Sequence, residues 1–418
     1  MKKIYLDESG NTGSISINKV GNINIGSQNY FVYGGVIVDE SEEGDLTQKY
    51  LSFKFKNQTL QDDKGEIKGN DLFIREHNEV LEDFIFNYLD DKNFYVNVYD
   101  KHFYIATQLT LSLVGFEYRD NNQAFFYENV NSLLKISDFS KVENRFLKAT
   151  SLSDDKQREK LLVATFRCLR RITRGKVEFK YLDSKLKKAI KDKGVVSEIS
   201  KSILAKGAYK LDNSITNLIN LTAIGELLVE LLRQKRIDES VDIKLDPICR
   251  IDEVIVDELK RSIFKNQISI SQGSHVDILV QYADNIVSVI YKSFKDIITD
   301  FKNRGRSWEI DKGNLWSLLV FSLILNKIKS KNIKFTLSID DWAFCLTVER
   351  LRLGVEALSH QPNISKLVTL LNRLDDFSSI NDRFWTTFEE SRSYIIKNYQ
   401  DKEYSILSDL SKLGIGRS

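Results

Sequence analysis

The sequence predicts an α/β protein: a mixed sheet built from separated strands, with a large helical insertion and a helical region after it. Three observations carry this. Short runs rich in β-branched and aromatic residues recur near the N-terminus. Longer segments repeat apolar residues at helical spacing. Only two of the 418 residues are proline and 20 are glycine, which leaves little chain for long loops. The length and a 42% hydrophobic content suffice for two or three domains and a sizeable core.

The elements follow in order. "KKIYLD" reads as a first strand, and the Gly-, Asn- and Ser-rich stretch from Ser9 to Asn29 as a long hairpin connection. "YFVYGGVIVDE", Tyr30 to Glu40, reads as a second strand. "EGDLTQKYLSFKFKN" is a helix, "QDDKGEIKGND" a polar turn, and "LFIREHNEVLEDFIFNYLDD" a further helix. "FYVNVYD", Phe94 to Asp100, alternates as a third strand. From about His102 to Ser240 the pattern is helical, with one strand expected at "KVEFKYLD". "ITNLINLTAIGELLVELLRQKRI" is a strongly apolar helix leading into "VDIKLDPICR", a strand that closes at Pro247. "IDEVIVDELKRSIFKN" and "HVDILVQYADNIVSVIYKSF" are helices, the second largely buried.

Beyond about Lys295 three amphipathic segments follow: "GNLWSLLVFSLILNKIKS", "DDWAFCLTVERLRLGVEALS" and "NDRFWTTFEESRSYIIKNY". "NIKFTLSID" is a candidate strand among them. The expected division is a core of residues 1–101 and 241–295, a helical insertion at 102–240, and a helical C-terminal domain at 296–418. There is no internal repeat and no low-complexity tract.

Composition excludes several classes. No run of about 18 uncharged apolar residues exists to cross a membrane. The apolar stretch behind the two N-terminal lysines lasts three residues before Asp7, too short for a signal peptide. Cys168, Cys249 and Cys345 form no CxxC pair and read as reduced thiols of a cytoplasmic protein. Four scattered histidines offer no zinc set. Net charge is +2, but the segment Arg167–Lys193 holds 11 basic and three acidic residues, with Phe179 and Tyr181 among them. Arg167, Arg170, Arg171, Arg174, Lys176 and Lys180 are the candidate contacts to a phosphate backbone. The competing reading is a solvated helix face around a strand.

Four acids stand out. "YLDESGNTG" ends the first strand, and alternation puts Tyr5, Asp7 and Ser9 on one face with Glu8 on the other. Asp7 is thus a candidate ligand and Glu8 a weaker one; a polar strand end is the alternative. In "GEIKG", Glu66 and Lys68 face the same way, suited to an ion and a phosphate or simply to an exposed turn. Asp246 ends an apolar strand before Pro247, as a ligand or as the start of a turn. On the buried helix Asp277, Gln281, Asp284 and Ser288 share a narrow stripe, which is either functional or its solvent edge. Such a carboxylate set suits Mg²⁺ or Mn²⁺.

Five stretches, "YLDESGNTG", "YFVYGGVIV", "GEIKGNDLF", "VNVYDK" and "VQYADNIVSVIY", resemble a bacterial family catalogued as domain of unknown function 3800. The resemblance runs from residue 1 to about 295. It implies a ribonuclease-H-like fold and a metal-dependent nuclease, of a kind often encoded in phage-defence and mobile-element neighbourhoods. It places Asp7, Glu66, Asp246 and Asp284 as ligands to Mg²⁺ or Mn²⁺, two ions by expectation, and Lys68 beside the phosphate of a nucleic-acid substrate. Glu8, Ser9, Asp277, Gln281 and His275 are candidates for the surrounding layer, although a histidine in that place also caps or packs a helix start. Nothing after residue 296 carries the resemblance; those helices could bind a partner protein, self-associate or cover the site.

Two other classes compete. One is a non-catalytic module binding nucleic acid or protein, with structural acids. The other is a phosphotransfer enzyme of the actin and sugar-kinase type, which "DESGNTG" loosely imitates, although no second Gly-rich phosphate loop follows. No GxxxxGK[ST] loop, GxSxG elbow or HExxH helix is present.

Overall fold

The structure is a computed structural model. It describes residues 1–10, 29–89, 92–152, 154–204, 208–211, 214–217, 219–247, 252–261, 268–273, 276–328, 332–353 and 377–398, with the single positions 364, 366 and 369. Its centre is a six-stranded sheet: β1 (Lys2–Ser9), β2 (Tyr30–Asp39), β3 (Phe94–Asp100), β6 (Asp242–Leu245), β7 (Ile268–Ile270) and β8 (Ile333–Thr336). A separate antiparallel pair, β4 (Ala208–Leu211) and β5 (Ser214–Asn217), lies within the insertion.

The helices in chain order begin with α1 (Glu43–Lys56), α2 (Gly69–Leu72), α3 (Asn78–Asp83), α4 (Lys101–Val114), α5 (Phe116–Asn121) and α6 (Gln123–Leu134). Next come α7 (Phe139–Thr150), α8 (Asp155–Thr173), α9 (Lys180–Lys191), α10 (Lys193–Leu204) and α11 (Ile219–Arg233). The last are α12 (Asp252–Lys260), α13 (Ile278–Arg304), α14 (Leu315–Lys327), α15 (Ile339–Leu351) and α16 (Ser378–Asn398). Among the described residues no helix is long and apolar enough to cross a membrane.

The sheet order is β7-β6-β1-β2-β3-β8. Only β2 runs against its neighbours, so β7, β6, β1, β3 and β8 all end at one edge. β2 is buried on both faces, which is why its sequence is a continuous apolar run. Helix α13 packs over β1 and β2, and α11 lies against β2 and β3. The faces sort by register. Tyr99 donates to Glu226 of α11 at 2.6 Å, so the odd positions of β3 look toward α11. Pairing of Tyr5 with Val36, and of Val36 with Phe94, puts Tyr5, Asp7 and the even positions of β3 on the α13 face.

Several expectations are corrected. "KVEFKYLD" is a short 3₁₀ turn at Val177–Phe179 running into α9, not a strand. Phe179, Leu182, Leu186 and Ala189 are buried at helical spacing, which overrides the local β propensity. The apolar helix expected from Ile215 begins at Ile219, after β5. "LFIREHNEVLEDFIFNYLDD" forms short pieces, α2, α3 and a π turn at Phe84–Tyr88. The boundary at 295/296 falls inside the continuous 27-residue α13. "NIKFTLSID" does contain a strand, but β8 is the outer strand of the central sheet, paired parallel with β3. Residues after 296 thus help to build the same sheet and are not a separate helical domain.

Candidate metal centre

The parallel pairing of β1 and β6 ends at Leu6 beside Leu245. The next residue on each strand is an aspartate, and the Asp246 amide continues the ladder to the Leu6 carbonyl at 2.9 Å. Asp7 and Asp246 therefore leave the sheet side by side at its carboxyl edge, where α/β sheets form their ligand sites. Above them α13 brings Asp284, which accepts a hydrogen bond from Ser288 Oγ at 3.0 Å. Ser288 Oγ also reaches Ser9 Oγ at 3.3 Å.

Glu66 arrives from a tight loop closed by the Gln61–Ile67 bridge and by the Asp62 amide donating to the Glu66 carbonyl at 2.8 Å. Its side chain is buried, and Lys68 is ion-paired to it from a more exposed position. Gly69 seats this loop on α13: a Cβ there would lie 2.2 Å from the Ser288 Cβ, so only glycine permits the approach. Gly10 plays the same part at the end of β1. Its φ is +78°, and a Cβ would lie 2.1 Å from the Tyr291 ring.

The charges of these groups act on one another. Burial pushes the Asp7 carboxyl well above its ordinary range, and the Asp284, Asp246 and Glu8 charges push it further, against one backbone hydrogen bond. Burial raises Asp284 to about 6; its bond from Ser288 and the nearby Lys68 pull it down, and Glu66 pushes it up. Electrostatically the four acids form one chain, Asp246 to Asp7 to Asp284 to Glu66. Among the described residues, no group of three or more His, Cys, Asp or Glu stands in a ready-made metal-holding arrangement. All four acids are carboxylates, with no sulfur or imidazole among them, the oxygen donors that hard cations prefer.

No family model, curated protein or solved structure matches this chain.

The remaining sequence candidates divide. Gln281 is fully buried one turn before Asp284, and its amide has no hydrogen-bond partner among the described residues. Asp277 is not part of the carboxylate chain: it is the N-cap of α13, accepting from the Leu279 and Val280 amides, and it pairs with Lys244 at 3.3 Å. The helix begins only at Ile278, so Asp277 stands outside the stripe. His275 and the turn Asn11–Gly13 lie outside the described residues. Arg167, Arg171, Arg174, Lys176 and Lys180 are exposed. Arg170 is half-buried and pairs with Asp183 through its Nε at 2.8 Å across α8 and α9. The interleaved aromatics are not free: Phe179 is buried, and Tyr181 stacks on Tyr118 with centroids 3.9 Å apart.

Sequence reasoning missed two lysines at the same edge. Lys101 is buried, reaches the Gly10 carbonyl at 3.4 Å and lies over the Phe31 ring. Burial lowers its ammonium to about 8 against the opposing pull of Glu8. Lys302, near the end of α13, bridges Asp100 at 2.7 Å and Asp341 at 3.0 Å and lies over Tyr30. It also lines a cavity of about 720 Å³ with Trp385, Phe388 and Arg392. No periodicity signals a buried lysine; the nearest cue was the "YDK" at the end of β3.

Proposed function

We propose that the protein is a divalent-metal-dependent nuclease of ribonuclease-H-like architecture, hydrolysing phosphodiester bonds in nucleic acid. Asp7, Glu66, Asp246 and Asp284 are its ligand set for Mg²⁺ or Mn²⁺, with two ions proposed.

One contrast carries this reading. Two buried aspartates, Asp7 and Asp100, close neighbouring parts of the same sheet edge on the same face. The fold gives Asp100 a lysine, and the Lys302 charge holds its carboxyl below the ordinary value against burial. Among the described residues it gives Asp7 no such cation and sets further acids around it. Uncompensated buried charge is costly, and chains keep it where a cation or a reaction needs it.

In this mechanism the four acids supply oxygen ligands from two strands, a loop and a helix. A bound divalent cation would lower the pKa of an attacking water and offset charge on the scissile phosphate. Ser288 orients Asp284 through its hydrogen bond. Lys68, held by Glu66, offers its ammonium to a phosphate oxygen. Lys101 fixes Gly10 and so the exit of β1 beside Asp7.

The test is incubation of the purified chain with labelled single- and double-stranded RNA and DNA in Mg²⁺, Mn²⁺ or EDTA. Metal-dependent products that disappear in Asp7→Asn are the expected result. Absence of product with every substrate and metal overturns the reading. A second reading, a binding module of the same fold without catalysis, is favoured by the absence of a ready-made three-ligand group among the described residues. Binding that survives EDTA and yields no product would select it.

A further inference from the structure

Helix α8 sorts its cations by partner. Arg158 is buried and donates to Ser200 Oγ at 2.6 Å and to the Leu152 carbonyl at 2.7 Å. Arg170 is half-buried and tied to Asp183. These two hold the insertion together. Lys156, Lys160, Arg167, Arg171 and Arg174 are all exposed. Arg171 also donates to Cys168 Sγ at 3.8 Å and draws on Asp138 electrostatically. At 100° per residue the four inside the helix, Lys156, Lys160, Arg167 and Arg171, fall within an arc of roughly 60°, and Arg174 caps the helix end beyond them. From Lys156 to Arg171 they mark a straight line of roughly 22 Å at 1.5 Å per residue. Half-buried Val163 occupies the same line between Lys160 and Arg167. The only acids in the helix are Asp155, engaged by Arg158, and Glu159, which lies off the line.

We propose that this line on α8 is a track for the sugar–phosphate backbone of a nucleic-acid strand, held by Lys156, Lys160, Arg167, Arg171 and Arg174. Charge complementarity names the occupant. A row of exposed cations with no acid of the helix on the same line matches a polymer carrying one negative charge per residue. A protein partner would need a desolvated apolar centre with anchoring side chains, and the line offers only Val163 and the neighbouring Ala164. The inference deepens the nuclease reading by stating where substrate lies, yet backbone binding needs neither metal nor cleavage.

The experiment uses the full chain in EDTA and follows the anisotropy of fluorescein-labelled single-stranded DNA, single-stranded RNA and duplex DNA over a range of salt. Five contacts to a single strand give a slope of log K against log salt of about −3.5. The triple variant Arg167→Gln, Arg171→Gln, Arg174→Gln should bring that slope to about −1.4 and weaken binding about 100-fold at ~0.1 M salt. A control carrying the same charge change elsewhere, Lys235→Gln, Lys312→Gln, Lys397→Gln, should leave both unchanged. All six side chains are exposed, and unchanged thermal melting verifies folding. The track is overturned if the triple variant and the control bind alike, or if labelled polyglutamate binds as tightly as the oligonucleotides. Cleavage without α8-dependent binding rejects the track alone; α8-dependent binding without cleavage rejects the nuclease alone.

Discussion

Gly69 touches α13 at Ser288, with room for no side chain: a Cβ would stand 2.2 Å from the Ser288 Cβ and 3.4 Å from the Asn285 Cα. This contact fixes the distance between the loop carrying Glu66 and the helix carrying Asp284. Gly69→Ala should therefore cost about 1–3 kcal/mol of stability, as overpacking does. It should also lower cleavage more than Gly44→Ala, since Gly44, in the first turn of α1, has nothing within 4 Å of its Cβ position and no left-handed backbone. Denaturant midpoints and initial rates on the two variants check this.

Asp7→Asn should abolish cleavage and stabilise the fold. The substitution keeps the shape of the side chain and removes a charge that Asp284, Asp246 and Glu8 oppose. A gain of about 1 kcal/mol at neutral pH is expected, the usual exchange of function for stability. Glu8→Gln should give no gain, because it also removes the attraction between Glu8 and the buried Lys101. Urea unfolding of the three proteins without divalent metal is the measurement, and a destabilised Asp7→Asn would contradict the repulsion argument.

Divalent cations should protect the folded chain. A ligand present at about 100 times its Kd adds about 2.7 kcal/mol. Mg²⁺ or Mn²⁺ should raise the melting temperature of the wild type. The rise should shrink in Asp284→Asn and vanish in the double variant Asp7→Asn, Asp284→Asn. EDTA should reverse it.

Lys302→Met should be the most damaging of these substitutions. It leaves Asp100 and Asp341, both fully buried, without their shared cation. Breaking such a pair from one side costs about 3–5 kcal/mol. Thermal or urea unfolding will show whether the loss reaches that range.

The same cluster predicts a pH dependence. Burial raises Asp341 from 3.8 to about 6, with Asp100 adding to the rise and Lys302 and Ser338 opposing it. The folded state therefore binds the proton more tightly than the unfolded chain. The stability this contributes is fully present below about pH 4 and is lost as pH rises through about 6. Asp100 shifts the other way, held down against burial by Lys302 and His102, so its own contribution is lost toward acid instead. Asp341→Asn should flatten the fall in stability between those limits, read as melting temperature against pH.

The strands with one long apolar or alternating pattern were legible in the sequence, because burial of β2 and β3 writes itself into consecutive residues. Asp7, Asp246 and Asp284 were legible for a related reason: each acid interrupts such a pattern. Glu66 depended on the resemblance, since a polar turn hides a buried carboxylate. β7 has three residues, too few for any period. β8 was visible as a strand but not as a member of the sheet, because Val96 finds Ile333 some 237 positions later. Asp277 was misplaced because a helix stripe counts only residues inside the helix, and a cap sits outside it. Arg170 looked like its neighbours until Asp183 came within reach through tertiary packing.

The late arrival of β8 sets an order of assembly. All four proposed ligands, the two strands and the first half of α13 are synthesised before residue 295, but the outer edge of β3 has no partner until residue 333 leaves the ribosome. Through that interval the nascent chain presents a row of unpaired amides and carbonyls along a hydrophobic strand, the template on which chains cross-pair and aggregate. The C-terminal third thus acts as a seal for the sheet as much as an addition to it, and expression fragments that stop before β8 would be missing that seal.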